Sequence, residues 1–253
     1  MKIVAAGLML LVAASSAKAA LSRAQFDSVS ISPSAGARLD PALSAPDASG
    51  KWRTIGGVLA GRPAFVSFVD YTCNTLCGTD LELLSHAIQT NRLAPSQYRI
   101  LVIGIDPKDR PKDARAMERK EIPAALWPAV TMLLPEADVV RRATAALGFH
   151  YVYDPAIDQF AHPAIVYMIG ADGGLRTALS PFALSTTNLR QLLSAPARAN
   201  NLYERVRLLC YAYDPATGIY SLRIVNLLKI ACLLALLAVA GAVMLLRRAG
   251  RSA

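Results

Sequence analysis

The apolar positions of this chain change period several times, and each change marks an element. Residues 64–69 (Ala-Phe-Val-Ser-Phe-Val) form a β-branched and aromatic run, bounded by Gly61-Arg62-Pro63 ahead and Asp70-Tyr71-Thr72 behind. That pattern predicts a buried strand. Beyond it Leu81, Leu84, Ala87 and Ile88 recur at helical spacing. Residues 98–105 repeat the strand pattern, and a charged helix is predicted over 112–121 after the turn between Pro107 and Pro111. A further helix covers 137–147 and ends at Gly148. Residues 151–153 read as a short strand, and 164–169 and 175–179 as a hairpin around Ala171-Asp172-Gly173-Gly174. Residues 187–193 are predicted as the last helix of the domain, and 52–59 as an opening strand or hairpin. Strands alternating with helices and ending in a hairpin predict an α/β layered sheet. Periodicity alone permits more than one such topology.

The two ends follow another rule. Lys2 precedes an apolar stretch, residues 3–14, that is short for a membrane span, and Ala17-Lys18-Ala19 offers small residues at a cleavage site. A secretory signal peptide over 1–19 is the expectation. Residues 230–246 contain no charge, and Arg247, Arg248 and Arg251 follow at once. A span of roughly 20 apolar residues crosses a bilayer, and Lys229 can snorkel to its edge. A transmembrane helix is therefore expected over 227–246, with a cytoplasmic tail over 247–253 under the positive-inside rule. Both ends place the main domain in the periplasm of a single-pass inner-membrane protein. Residues 20–55, rich in Ser, Ala, Pro and Asp, are expected to be a flexible arm. The main domain is assigned to 56–199, and a juxtamembrane segment to 200–226, where Tyr211, Tyr213 and Tyr220 suit either an interfacial belt or hairpin packing.

These end segments also account for the hydrophobic content, 54% over 253 residues. The net charge of +9 does not point to nucleic acid. The terminal arginines carry part of it, and no cluster of Lys and Arg is interleaved with aromatics.

Candidate chemistry sits where the first strand breaks off, in Cys73-Asn74-Thr75-Leu76-Cys77. Two thiols four residues apart on a first helical turn would share a face, within reach of a common metal or of each other. A helix N-terminus favours the thiolate, which binds metal and attacks disulfides. A bridge over so short a loop would constrain the unfolded chain little, so an inert structural disulfide is the weaker reading. Two soft thiolates with one imidazole would suit Cu(I), which calls for a distant histidine. Among the three histidines, His86 lies nine residues past Cys77, off its face and roughly 13 Å along a continuous helix. His150 follows a helix exit. His162, ahead of Pro163, is held in an extended or turn conformation. Asp106 is either an oxygen donor for Cu(II) or a turn-forming Asp-Pro step. Cys210 stands outside the main domain, and Cys232 falls in the predicted span as a small apolar residue.

The strand, the Cys-x-x-x-Cys pair, Ile103-Gly104-Ile105-Asp106-Pro107 and Phe160-Ala161-His162-Pro163 resemble, in that order, the Sco/SenC family. The resemblance runs from about residue 56 to 194 and on into the tail. It implies a thioredoxin-like fold and a copper chaperone for cytochrome c oxidase, with Cys73, Cys77 and His162 as ligands of Cu(I) or Cu(II). The implied partners are the copper-site subunit of the oxidase, the membrane, and other copper carriers or thioredoxin-like reductants. Many family members have prolines flanking the cysteines; this chain has Asn74 and Gly78. The alternative is an enzyme, a periplasmic thiol-disulfide reductase acting through Cys73 and Cys77 on copper-site cysteines. In either case the two cysteines are expected to form a disulfide when metal-free.

Overall fold

The computed structural model describes residues 21–73, 78–194, 232–236 and 239. A hairpin of β1 (Ser44–Pro46) and β2 (Trp52–Thr54) leads into a short helix α1 (Ile55–Leu59), capped by the Thr54 hydroxyl. The remaining order is β3 (Ala64–Val69), α2 (Thr79–Thr90), β4 (Arg99–Gly104), α3 (Pro111–Glu121), β5 (Val130–Leu133) and α4 (Ala137–Ala146). It continues with β6 (Val152–Asp154), β7 (Gln159–Ala161), β8 (Val166–Ile169), β9 (Leu175–Leu179), α5 (Pro181–Thr186) and α6 (Leu189–Ser194). The central sheet has five strands in the order β9-β8-β3-β4-β5. β3, β4 and β5 are parallel, with Val69 opposite Gly104 and Ile103 opposite Leu133. β8 runs antiparallel to both β3 and β9.

All six residues of β3 are buried because both faces of the sheet are covered, as parallel strands require. Phe65 and Val69 pack on one side with Leu81, Leu84, Ala87 and Ile88 of α2 and with Ile100 and Val102. Ala64, Val66 and Phe68 pack on the other with Leu101, Ile103, Val140 and Phe149. Each large side chain so placed contributes about 1.5–3 kcal/mol relative to exposure.

The segment expected to be a loose arm supplies part of the second face. Leu39, Leu43 and Ala45 are buried there, and Ser30 and Ile31 pair with His150 and Phe149. Its polar composition hides a sparse set of apolar anchors, and close backbone approach does the rest. Ser32 N–H donates to the Gly148 carbonyl at 2.7 Å, and a Cβ on Gly148 would stand 2.3 Å from the Ser32 backbone. Strand β5 was not anticipated, since it is a short run between Pro128 and Pro135. The expected strand over 52–59 is a strand followed by α1.

The predicted signal peptide, the juxtamembrane segment and the cytoplasmic tail lie outside the described residues. So does most of the predicted span. Residues 232–236 and 239 are helical, with Leu233, Leu234 and Leu236 exposed. No helix among the described residues is long and apolar enough to cross a membrane.

Candidate functional site

Parallel pairing of β3 and β4 brings two loops to one edge of the sheet. The chain leaves β3 through Asp70, Tyr71 and Thr72 to reach Cys73. Asp70 turns it: its Oδ1 accepts both the Thr72 N–H and the Thr72 hydroxyl at 2.9 Å, and its carbonyl accepts the Cys73 N–H at 3.2 Å. Tyr71, 5% exposed, anchors the turn. Its hydroxyl lies 3.0 Å from the Val102 carbonyl and 2.9 Å from that of Leu133, sharing one proton between β4 and β5. A Cβ on Gly104 would stand 2.7 Å from the Tyr71 ring and 3.3 Å from the Leu133 carbonyl. Gly104→Ala is therefore expected to cost about 1–3 kcal/mol in urea denaturation by overpacking, because a ring tied to two strands has nowhere to move.

Cys73 lies ahead of α2 rather than on its first turn. That helix begins at Thr79 with Gly78 as its N-cap, so the shared-face geometry expected for the thiols does not apply to Cys73. Cys77 falls outside the described residues. Cys73 is disulfide-bonded. Cys232 is a free thiol. Gly78 lies close to the C-terminal end of α3. The Glu121 side chain lies over it, and a Cβ there would come within 2.5 Å of the Glu121 carboxyl group. Glu121 itself pairs with Lys120 at 2.8 Å.

The second wall is the β6–β7 hairpin, which leads directly to His162. Gln159 Oε1 on β7 lies 3.9 Å from Cys73 Sγ, so hairpin and cysteine turn touch. Tyr151, Tyr153 and Phe160 pack along the hairpin, with ring centroids 5.6 Å and 5.1 Å apart for the two pairs that share Phe160. Lys108, from the loop after β4, clips the hairpin through an ion pair with Asp158 and lies 5.3 Å from the Tyr153 ring centroid.

His162 has the chemistry of a ligand in waiting. Its Nδ1 lies 3.1 Å from the Pro163 carbonyl, and a carbonyl can only accept, so Nδ1 carries the proton. The lone pair of the neutral ring is then on Nε2. That nitrogen is buried and has no hydrogen-bond partner among the described residues. Burial pushes the imidazole below its ordinary pKa, partly opposed by the Pro163 contact and the charge of Asp70, and so keeps it neutral. A buried lone pair without a donor is costly unless a metal ion takes it.

Other sequence candidates are placed elsewhere. His86 is exposed on α2. His150 is exposed too, with Nε2 2.7 Å from the Ser32 hydroxyl. Asp106 is buried at the head of the loop after β4, where its Oδ1 accepts the Lys108 N–H at 2.8 Å.

Asp80 escaped notice in the sequence, where it reads as an ordinary acidic residue in a helix's first turn. It is 3% exposed, and the Ile165 backbone N–H, just beyond His162 in the chain, partly favours its ionised form. Burial drives its pKa from 3.8 up to about 7. A carboxyl raised on folding stabilises fully below its unfolded pKa and loses that contribution as pH rises through the folded value. Relative to Asp80→Asn, the parent chain should thus lose stability between about pH 4 and 7, by at most about 4 kcal/mol. Urea melts of both proteins across that window check it; parallel curves would contradict it.

The SCO1/SenC family model matches residues 38–194. Yeast Sco1 with copper bound superposes with a TM-score of 0.52 at 18% identity, covering 69% of this chain and 95% of that one. Bradyrhizobium japonicum ScoI with copper bound gives 0.50 at 18% identity, covering 62% and 99%. Arabidopsis thaliana ScoI with copper bound gives 0.51 at 14% identity, covering 63% and 98%. At such identities the superpositions speak for the fold, which is thioredoxin-like. No curated relative matches the chain. The family match extends over more than half of the sequence, from the buried anchors of the N-terminal segment to the last helix of the domain, and the chain belongs to the SCO1/SenC family.

Proposed function

We propose that this protein is a membrane-tethered, copper-binding assembly factor, with Cys73, Cys77 and His162 as the ligands. It would deliver copper to cytochrome c oxidase or prepare the oxidase copper site. The observation that carries this reading is His162 Nε2, a buried lone pair without a donor on the segment that follows Gln159, which touches Cys73. Thiolates and a neutral imidazole form a donor set suited to copper. The disulfide at Cys73 supports a redox gate. The bond must take up two electrons and two protons from an external dithiol before thiolates are available, and metal binding then displaces the thiol protons. Copper is known in the solved relatives named above.

The second reading, a periplasmic thiol-disulfide reductase, draws on that same disulfide. It needs the cysteines and no histidine ligand. Cytochrome oxidase activity in a deletion strain separates the two at limiting copper. The chaperone reading predicts that His162→Ala fails to restore the oxidase, and that excess copper partly rescues the strain by mass action. Full activity of His162→Ala at limiting copper would reject it in favour of the reductase.

The membrane tether rests on the apolar stretch 230–246 and the arginines after it, which put the main domain in the periplasm and the C-terminus in the cytoplasm. A reporter active only in the cytoplasm should be active when fused after Ala253 and silent when fused after Ser194. The reverse pattern would overturn this orientation.

A further inference from the structure

A second group of donors lies beside the cysteine turn. Asp70 follows β3 directly, and Asp106 and Asp109 lie on the loop after β4, so the parallel register brings them to one carboxyl edge of the sheet. One oxygen from each lies within 4.8 Å of the other two. One side of each carboxylate is occupied: Asp70 by Thr72, Asp106 by the Lys108 N–H, and Asp109 Oδ2 by the Tyr71 N–H at 3.0 Å. For Asp70 and Asp109 the other side is not. Asp70 is 0% exposed, and its Oδ2 has no hydrogen-bond partner among the described residues. Asp109 Oδ1 is likewise buried and unpartnered.

Among the described residues no lysine or arginine pairs with these carboxylates; the nearby Lys108 ammonium is held by Asp158. Burial, with the charges of Asp70 and Asp106 adding to it, drives Asp109 up to about 7. Carboxylates packed this closely cannot all stay ionised without a counter-charge, and a buried acceptor left without a donor is destabilising, more so if charged. Two unpartnered buried oxygens from different loops, beside a third carboxylate, form the partial inner shell of a cation.

We propose that Asp70, Asp106 and Asp109 bind a hard divalent cation of the calcium, magnesium and manganese class, at a site separate from the cysteines and His162. Oxygen donors select such ions, as thiolates select soft copper. The bound ion would join the loop after β4 to the turn that positions Cys73.

Manganese is the probe. The full chain, copper-free and in its disulfide form, is stripped with chelator and titrated with Mn(II), with free ion followed by its electron paramagnetic resonance signal. One ion should bind per chain and be displaced by Ca(II). Asp70→Asn and Asp109→Asn should each weaken binding at least about 10-fold, as loss of a metal-site interaction does. His162→Ala should leave binding unchanged. Asn keeps the shape and removes a repelling charge, so in chelator Asp109→Asn should melt no lower than the parent, and Ca(II) should raise the midpoint of the parent alone. Absence of Mn(II) binding would mean that the cluster holds protons only and would overturn the proposal. So would binding unaffected by both substitutions, or binding lost in His162→Ala.

Discussion

Cys73→Ser and Cys77→Ser should each abolish tight copper binding by the reduced protein. A soft ion held by two thiolates and one imidazole loses its preferred donors when one sulfur becomes a hydroxyl, leaving an under-coordinated, mismatched site. The loss should be complete in practice, with copper removed on a desalting column, while the fold survives. Cys73 sits on a turn built by Asp70 and Thr72, and Tyr71 rather than Cys73 ties that turn to β4 and β5. A Cys73–Cys77 bridge, as expected from the sequence, would close too short a loop for its loss to cost much stability. Circular dichroism should therefore show a native spectrum for both variants, and unaltered stoichiometry in either would exclude it from the ligand set.

His162→Ala should have the next largest effect and a different signature. Cu(I) tolerates two thiolates alone better than Cu(II) does, so Cu(II) affinity should drop at least about 100-fold while Cu(I) binding falls less. Competition with chelators of known affinity in each oxidation state measures both. Stability should hold or rise, because the substitution removes an imidazole nitrogen buried without a partner and its desolvation cost. Equal losses for both oxidation states would mean that His162 positions the hairpin rather than binding the ion.

What could be read from the sequence depended on how local each signal was. β3 and β4 are continuous β-branched runs and form where expected; α2 carries Leu81, Leu84, Ala87 and Ile88 at the expected helical intervals but begins later than expected. β5 is not marked that way, since four residues between prolines gain strand structure only by pairing with Ile100 to Ile103. The N-terminal segment misled through composition: Leu39, Leu43 and Ala45 are too widely spaced to declare a period, yet each is buried. His162 carries only the weak local signal of the Pro163 step, and its candidacy as a ligand rested on the order of motifs along the chain. The placement of Cys73 on a helical turn failed because the backbone turns at Asp70 and the helix waits until Thr79. Asp70 and Asp109 look like loop residues in sequence, and only the register of β3 against β4 brings their carboxylates together.

Copper binding by the intact protein before and after reduction tests the central claim most directly. Anaerobic, dithiol-reduced and desalted protein should retain one copper per chain after loading, and the disulfide form should retain none, because the thiolates do not exist until the bond at Cys73 is broken. Equal copper retention by the two forms, or none by either, would contradict the assignment of this site to copper.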